Sequence, residues 1–209
     1  MTDEDGRVRR GQESREARRA QIKGSALEVF SARGYHQTSV SDLVEAAGVA
    51  RGTFYLYFDS KDAIFLELLD DLLVQLRGAI VGIDTRPGAE SMEVQLVQIV
   101  ALILRALVEN RPLTRIVFRE AIGLHADVDR RVRLFEDELH TFVAASLTLG
   151  ATLGTIRAID PAVGASCIVG SLREIAHRNV VGSDDPIAVE PIAHALVDYH
   201  LRGLSSPNA

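Results

Sequence analysis

Apolar side chains return along most of this chain at intervals of three and four residues, a spacing that lines one face of a helix and not of a strand. Ile64, Phe65, Leu68, Leu69, Leu72 and Leu76 follow this rule, as do Val128, Val132, Phe135, Leu139 and Phe142. Only 6 prolines interrupt the pattern in 209 residues, so the chain is predicted to be all-α. The most hydrophobic run, Val94 to Val108, contains Gln95, Gln98 and Arg105 and falls short of the ~20 apolar residues of a membrane span. It reads as a buried helix.

Two short helices stand out near the start. Ser39 is an N-cap with Asp42 three residues on, a variant of the capping box, and Val40, Leu43, Val44 and Ala47 then recur at helical spacing. Gly48 can take the positive φ that a tight turn needs. A further helix runs from Arg51 to Phe58, with Phe54 and Phe58 facing inward. Short helix, Ala-Gly-Val, short helix is the pattern of a helix-turn-helix, whose second helix enters the major groove of DNA.

The charge distribution fits that reading. The chain carries a net −6, yet residues 6 to 61 hold 10 Lys/Arg against 6 Asp/Glu. That surplus of +4 leaves −10 on the remainder. A basic head on an acidic body presents one face to phosphates.

The order of elements follows. Residues 1–14 form a flexible basic arm, whose Arg7, Arg9 and Arg10 can reach a minor groove or equally be a solvated tail. A helix from about Arg15 to Arg33 carries Ile22, Ala26, Leu27 and Phe30, and Gly34 sits at a C-cap position. The DNA-binding domain thus spans 15–62. Asp59 or Ser60 caps a fourth helix, along which the chain passes into a second domain, 63–209. There five helices are expected: about Ser91 to Asn110, Pro112 to Gly123, Asp127 to Leu149, Asp160-Pro161 to Asn179, and a last one beginning near Pro186 or Pro191. The fold class is a three-helix DNA-binding domain followed by a helical bundle for regulation and dimerisation.

At the helix-turn-helix the residues resemble a known family. Ala20-Gln21-Ile22, Ala26-Leu27-Glu28-Val29-Phe30 and Gly34-Tyr35-His36-Gln37-Thr38-Ser39-Val40 resemble the opening of TetR-type regulators. Asp42-Leu43-Val44, Ala46-Ala47-Gly48-Val49 and Arg51-Gly52-Thr53-Phe54-Tyr55-Leu56-Tyr57-Phe58, with Ser60-Lys61, continue the likeness. It covers about residues 15 to 65 and is looser beyond. The resemblance implies a homodimer on double-stranded DNA, at a palindromic operator released when a small effector binds the second domain, and the mostly apolar composition of that domain points to a largely hydrophobic effector. It assigns phosphate contacts to Thr38, Ser39, Tyr57 and Lys61, and base contacts to Ser41, Arg51, Gly52, Thr53 and Tyr55.

General chemistry agrees with several of these roles. Thr38 and Ser39 stand at a helix N-terminus, which favours an anion. Arg51 opens the reading helix and can pair with guanine O6 and N7, while the Thr53 methyl can meet a thymine methyl. Gly52 lets the backbone approach the bases. Tyr57 and Lys61 flank the groove. Ala50 departs from the family, which often has a hydroxyl N-cap at this position.

The second domain offers weaker signals. Arg105 within an apolar helix needs an anion, which Glu120, Glu174 or an acidic effector would supply. Phe118, His125, Phe135, Phe142 and His177 are candidates to line an effector pocket, though the same spacing also suits a core. His125-Ala126-Asp127-Val128-Asp129 reads as a loop and helix cap in preference to a metal site. The last two helices would form a four-helix dimer interface by resemblance, with Ile168, Leu172, Ile175, Leu196 and Tyr199 facing the partner. Cys167 stands alone, and with no secretory signal in view the expected compartment is the cytoplasm. No nucleophile–base pair, metal spacing or phosphate loop appears, so neither an enzyme nor a cofactor is expected.

Overall fold

The computed structural model describes residues 3–120 and 126–204, with side chains described from residue 11 and excluding those of Glu120 and Leu204. All regular structure among them is helical. The head is built from α1 (Asp3–Arg33), α2 (Val40–Ala47) and α3 (Arg51–Tyr55). Then come α4 (Lys61–Ala79), α5 (Met92–Glu109), α6 (Arg111–Glu120), α7 (Ala126–Thr152), α8 (Pro161–Ala176) and α9 (Val189–Leu204), with one π-helical turn at His177–Val181 closing α8.

The backbone is already helical at Asp3, where an irregular arm to residue 14 is the sequence expectation. Residues 12–20 are rich in Gln, Glu, Arg and Ala, all strong helix formers, and this composition outweighs the roughly 1 kcal/mol cost of each glycine at 6 and 11. The side chains of Arg7, Arg9 and Arg10 lie outside the described residues.

Local chemistry sets the remaining boundaries. The Ser39 hydroxyl accepts from Asp42 N while the Asp42 carboxylate accepts from Ser39 N, completing a capping box. Gly48 ends α2 at φ 62°, ψ 34°, the left-handed conformation that suits glycine. Asp160 accepts from the backbone N–H groups of Ala162 and Val163, and Pro161 follows in the first turn of α8.

The head and body share α4. Its first turns bury Ile64 and Phe65 against the head, where the Phe65 ring lies 5.8 Å from Phe30 and 4.9 Å from Tyr35. Farther along, Leu69, Leu72 and Leu76 face the body. There α7 lies against α8 and α5 against α9, while α6 reaches back to touch α1. No helix among the described residues is long and apolar enough to cross a membrane.

Candidate nucleic-acid interface and effector cavities

The reading helix is held from behind and open in front. Phe54 and Phe58 are buried, whereas Arg51, Gly52 and Tyr55 on the opposite side are exposed. A Cβ at Gly52 would meet nothing within 4 Å, so this stretch of backbone is bare to any approaching surface. The Arg51 guanidinium rests 6.0 Å from the Tyr55 ring, which sets both side chains on one face. Ser39 and Ser41 are exposed at the start of α2, and Thr53 and Tyr57 are half-buried. These residues form one polar face over a closed apolar base.

Two residues expected on that face turn inward. Thr38 is 2% exposed and its hydroxyl donates to Gly34 O at 2.8 Å, closing the turn after α1. Lys61 donates to the carbonyls of Tyr35 and Thr38, both at 2.9 Å, and its ammonium lies 4.4 Å from the Tyr35 ring. A cation so placed serves the Thr38 carbonyl and adds a second donor to the Tyr35 carbonyl, which already accepts from Thr38 N at 3.3 Å. Both placements have one cause: the Gly34–Ser39 turn needs internal donors. Ala50, at the N-cap of α3, gives no side-chain hydrogen bond.

An ionic seam joins α1 to α4. Arg19 donates to Glu67 from Nε at 3.0 Å and to Tyr57 O from Nη1 at 3.0 Å, and its guanidinium lies 4.4 Å from the Phe58 ring. Lys23 reaches Glu67 at 3.2 Å and also pairs with Asp71. The hydrogen bond from Arg19 holds the Glu67 carboxyl below its ordinary value of 4.5, against partial burial. Tyr35 donates to Asp62, and burial followed by that bond pushes its phenol well above the usual range. The seam continues into the body through Arg131–Asp70 and through Arg77–Glu138 at 2.8 Å. Sequence reasoning passed over these pairs, because their partners lie 27 to 61 residues apart or are single charges among many.

The body holds two adjoining apolar cavities. The larger, about 200 Å³, is lined by the 80–83 segment and by α5, α7, α8 and α9, including Phe142 and His200. The smaller, about 130 Å³, lies between α4, α6, α7 and α8 and includes Phe118 and Phe135. Three of the expected pocket residues are thus brought to cavities. His200 meets the Ser171 hydroxyl through Nε2 at 2.7 Å, and burial lowers its pKa from 6.5.

Two of the other expected pocket residues lie away from the cavities. Arg105 is exposed and pairs with Glu190 of α9, because it falls on the solvent stripe of α5 with Val94, Gln98, Leu102 and Glu109. His177 opens the π-helical turn, exposed, with its ring 6.3 Å from Phe118, and lines neither cavity. His125 lies outside the described residues. Among those described, no group of three His, Cys, Asp or Glu side chains is placed to hold a metal ion. Of the residues expected at a dimer interface, Ile168, Leu172 and Leu196 line the larger cavity and Ile175 packs against the core. Tyr199, at 73% exposure, faces solvent, close to exposed Val163 and Cys167 in a surface groove between α8 and α9.

One further device was legible but unread. Arg111, Arg115 and Arg119 recur every four residues along α6 and donate to the carbonyls of Asp185, Ser183 and Val181 at 3.1, 2.7 and 3.0 Å. Arg115 also pairs with Asp184 at 2.7 Å. This ladder fastens α6 to the segment leaving the π-helical turn.

Comparison with known proteins agrees with this geometry. Residues 24–68 match the family described as bacterial regulatory proteins, tetR family, and residues 89–204 match the tetracyclin repressor-like C-terminal domain. The chain is 28% identical over 178 residues to YdgC, an uncharacterized HTH-type transcriptional regulator of Bacillus subtilis, covering 83% of this chain and 87% of that one. A TetR-like transcriptional regulator from Rhodococcus sp. RHA1 superposes with a TM-score of 0.66 at 25% identity, over 89% of this chain and 96% of that chain. The ketosteroid transcriptional regulator KstR2 of Mycobacterium tuberculosis shares the fold, with a TM-score of 0.69 at 19% identity over 90% and 95% of the two chains.

Proposed function

The chain belongs to the TetR family of bacterial transcriptional regulators, and from that premise we propose that it represses transcription from an inverted-repeat operator and leaves it when a hydrophobic effector fills the body. Regulators of this family bind DNA and form dimers, with ligands bound in the C-terminal domain. The observation that carries the DNA reading is the second helix of the turn, where exposed Arg51, Gly52 and Tyr55 stand over buried Phe54. Arg51 supplies the bidentate contact to guanine, and Thr53 and Tyr55 read the neighbouring bases. Ser39, Ser41 and Tyr57 hold the flanking phosphates, which position the head without reading sequence. Thr38 and Lys61 act from behind, by fixing the turn that presents Ser39. The DNA-binding unit is residues 15–62 and the effector-binding and dimerisation unit is 63–209.

Two subunits meet through the outward side of α8 and α9, with Val163 and Tyr199 as its apolar surface. The cavities accept the effector, and their nearly unbroken apolar lining selects a molecule of the same character. A cycle of ligand binding without chemistry needs no catalytic group.

The test is selection of bound fragments from a genomic DNA library at physiological salt. One enriched inverted repeat, with half-sites about one or two helical turns apart, is the expected result. Uniform recovery of fragments would contradict sequence-specific regulation, because phosphate contacts alone give that outcome.

A further inference from the structure

The two cavities differ in what they touch. The outer one, near Val81 and Thr155, has no wall from α6. The inner one is walled on one side by Thr114, Val117 and Phe118 of α6, and α6 packs against α1 of the head. They meet at Ile80, Ile103, Leu139, Val169 and Leu172, which line both.

Size points to one occupant spanning the two. Sites for small molecules hold roughly 300–1,000 Å³. The outer chamber, at about 200 Å³, and the inner, at about 130 Å³, each fall below that range, and together they enter it. The inner chamber alone runs beside α4 from Ile80 to Leu69, eleven residues or about 16 Å at the rise of an α-helix. An apolar path of that length, through two small chambers that share five lining residues, suits a flexible unbranched chain. Among the described residues the only charged groups along the path, Glu136 and Arg173 in the inner chamber, are already paired at 3.1 Å. The polar end of the ligand therefore stays at the outer mouth, where Thr155 and Val81 are exposed.

The geometry points to a length gate, which rests on the effector reading above: the outer chamber binds an unbranched alkyl chain, and only a chain long enough to cross into the inner chamber reaches α6 and releases DNA. On this reading a ligand confined to the outer chamber touches no part of α6 and so binds the DNA-bound and free conformations alike. Without a difference in affinity between two states, binding shifts nothing.

The test uses the full chain, the selected operator fragment with a fluorescent label, and two probes, octanoate and palmitate. Calorimetry reads binding and fluorescence anisotropy reads DNA affinity. Both probes are expected to bind. At saturation octanoate should change DNA affinity less than about twofold, while palmitate weakens it by about tenfold or more, within the usual range of allosteric coupling. Val132→Phe, at a residue that lines the inner chamber and not the outer, fills that chamber, and palmitate should then bind and release no better than octanoate, with octanoate binding and ligand-free DNA affinity unchanged. Those two unchanged values also show that the variant is folded, and the wild-type comparison decides the matter if it is not. Equal release by both probes would overturn the gate and leave the effector reading standing. Binding of neither would overturn both.

Discussion

The head and the body bury apolar side chains to opposite ends. In the head Ile22, Phe30, Leu43, Phe54 and Phe65 are each 0% exposed, and the polar face they support is open to solvent. In the body a comparable supply of Leu, Ile, Val and Phe surrounds two cavities. A void forfeits the dispersion contacts that its lining would otherwise make. The head therefore owes its rigidity to its own side chains, whereas the body leaves part of its packing for a ligand to complete. A surface that reads base edges needs fixed geometry, and a receiver that must change state needs an interior with more than one filling.

The strongest blow to this contrast is Phe54→Ala. Removing a buried aromatic costs about 3–5 kcal/mol, so DNA binding should vanish and the head helices should melt first in far-UV circular dichroism. Probe binding by the body, read by calorimetry on the same sample, should survive. Simultaneous loss of both would show a single cooperative unit and erase the division.

Filling the cavities should have the next largest effect. At one hundred times its Kd a ligand adds about 2.7 kcal/mol to stability. For a chain of this length that raises Tm by about 5–10 °C in a thermal scan. A Tm that stays put under saturating ligand would mean the body is already fully packed.

Ala50→Ser sharpens the comparison from the other side. The head is tightly packed yet lacks a side-chain cap on α3. A hydroxyl there should add about 1 kcal/mol, read as a higher midpoint in urea with unchanged slope. No gain would mean that the geometry of the turn cannot accept the bond.

The smallest effect belongs to the seam between α1 and α4. Glu67 titrates below its ordinary value in the folded chain. Its contribution is thus complete above the ordinary carboxylate range and fades as pH falls through the lower folded value. Screening of these part-exposed charges limits it to about 0.5 kcal/mol. Glu67→Gln should lower stability at neutral pH and flatten its dependence on pH in the acid range, as followed by urea melts. An unaltered acid slope would remove Glu67 from the account.

The sequence made the head easier to read than the body, for physical reasons. Ser39 with Asp42, Gly48, and Asp160 with Pro161 are local devices, each fixed by neighbours within three residues, and each appears where its spacing implies. The structural partners of Thr38 and Lys61 were hidden because they are carbonyls of a turn, and any residue type can supply a carbonyl. Arg105 was misread because an overall apolar helix hides its one solvent stripe. Ile168, Leu172 and Leu196 line the larger cavity, and in the sequence an apolar face looks the same whether it meets a partner or a cavity. Helical period gives the face; what the face meets is decided by helices far away in the chain.

The central claim is that the head reads sequence through Arg51 on a rigid base. Its most direct test is the affinity of the wild-type chain and of Arg51→Ala for the selected inverted repeat and for a scrambled copy, at physiological salt. The wild type should prefer the repeat by about a thousandfold or more. Arg51→Ala should lose about 1–3 kcal/mol of that preference per half-site with its Tm unchanged. Equal affinity of the wild type for both DNAs, or full preference retained without Arg51, would contradict the account.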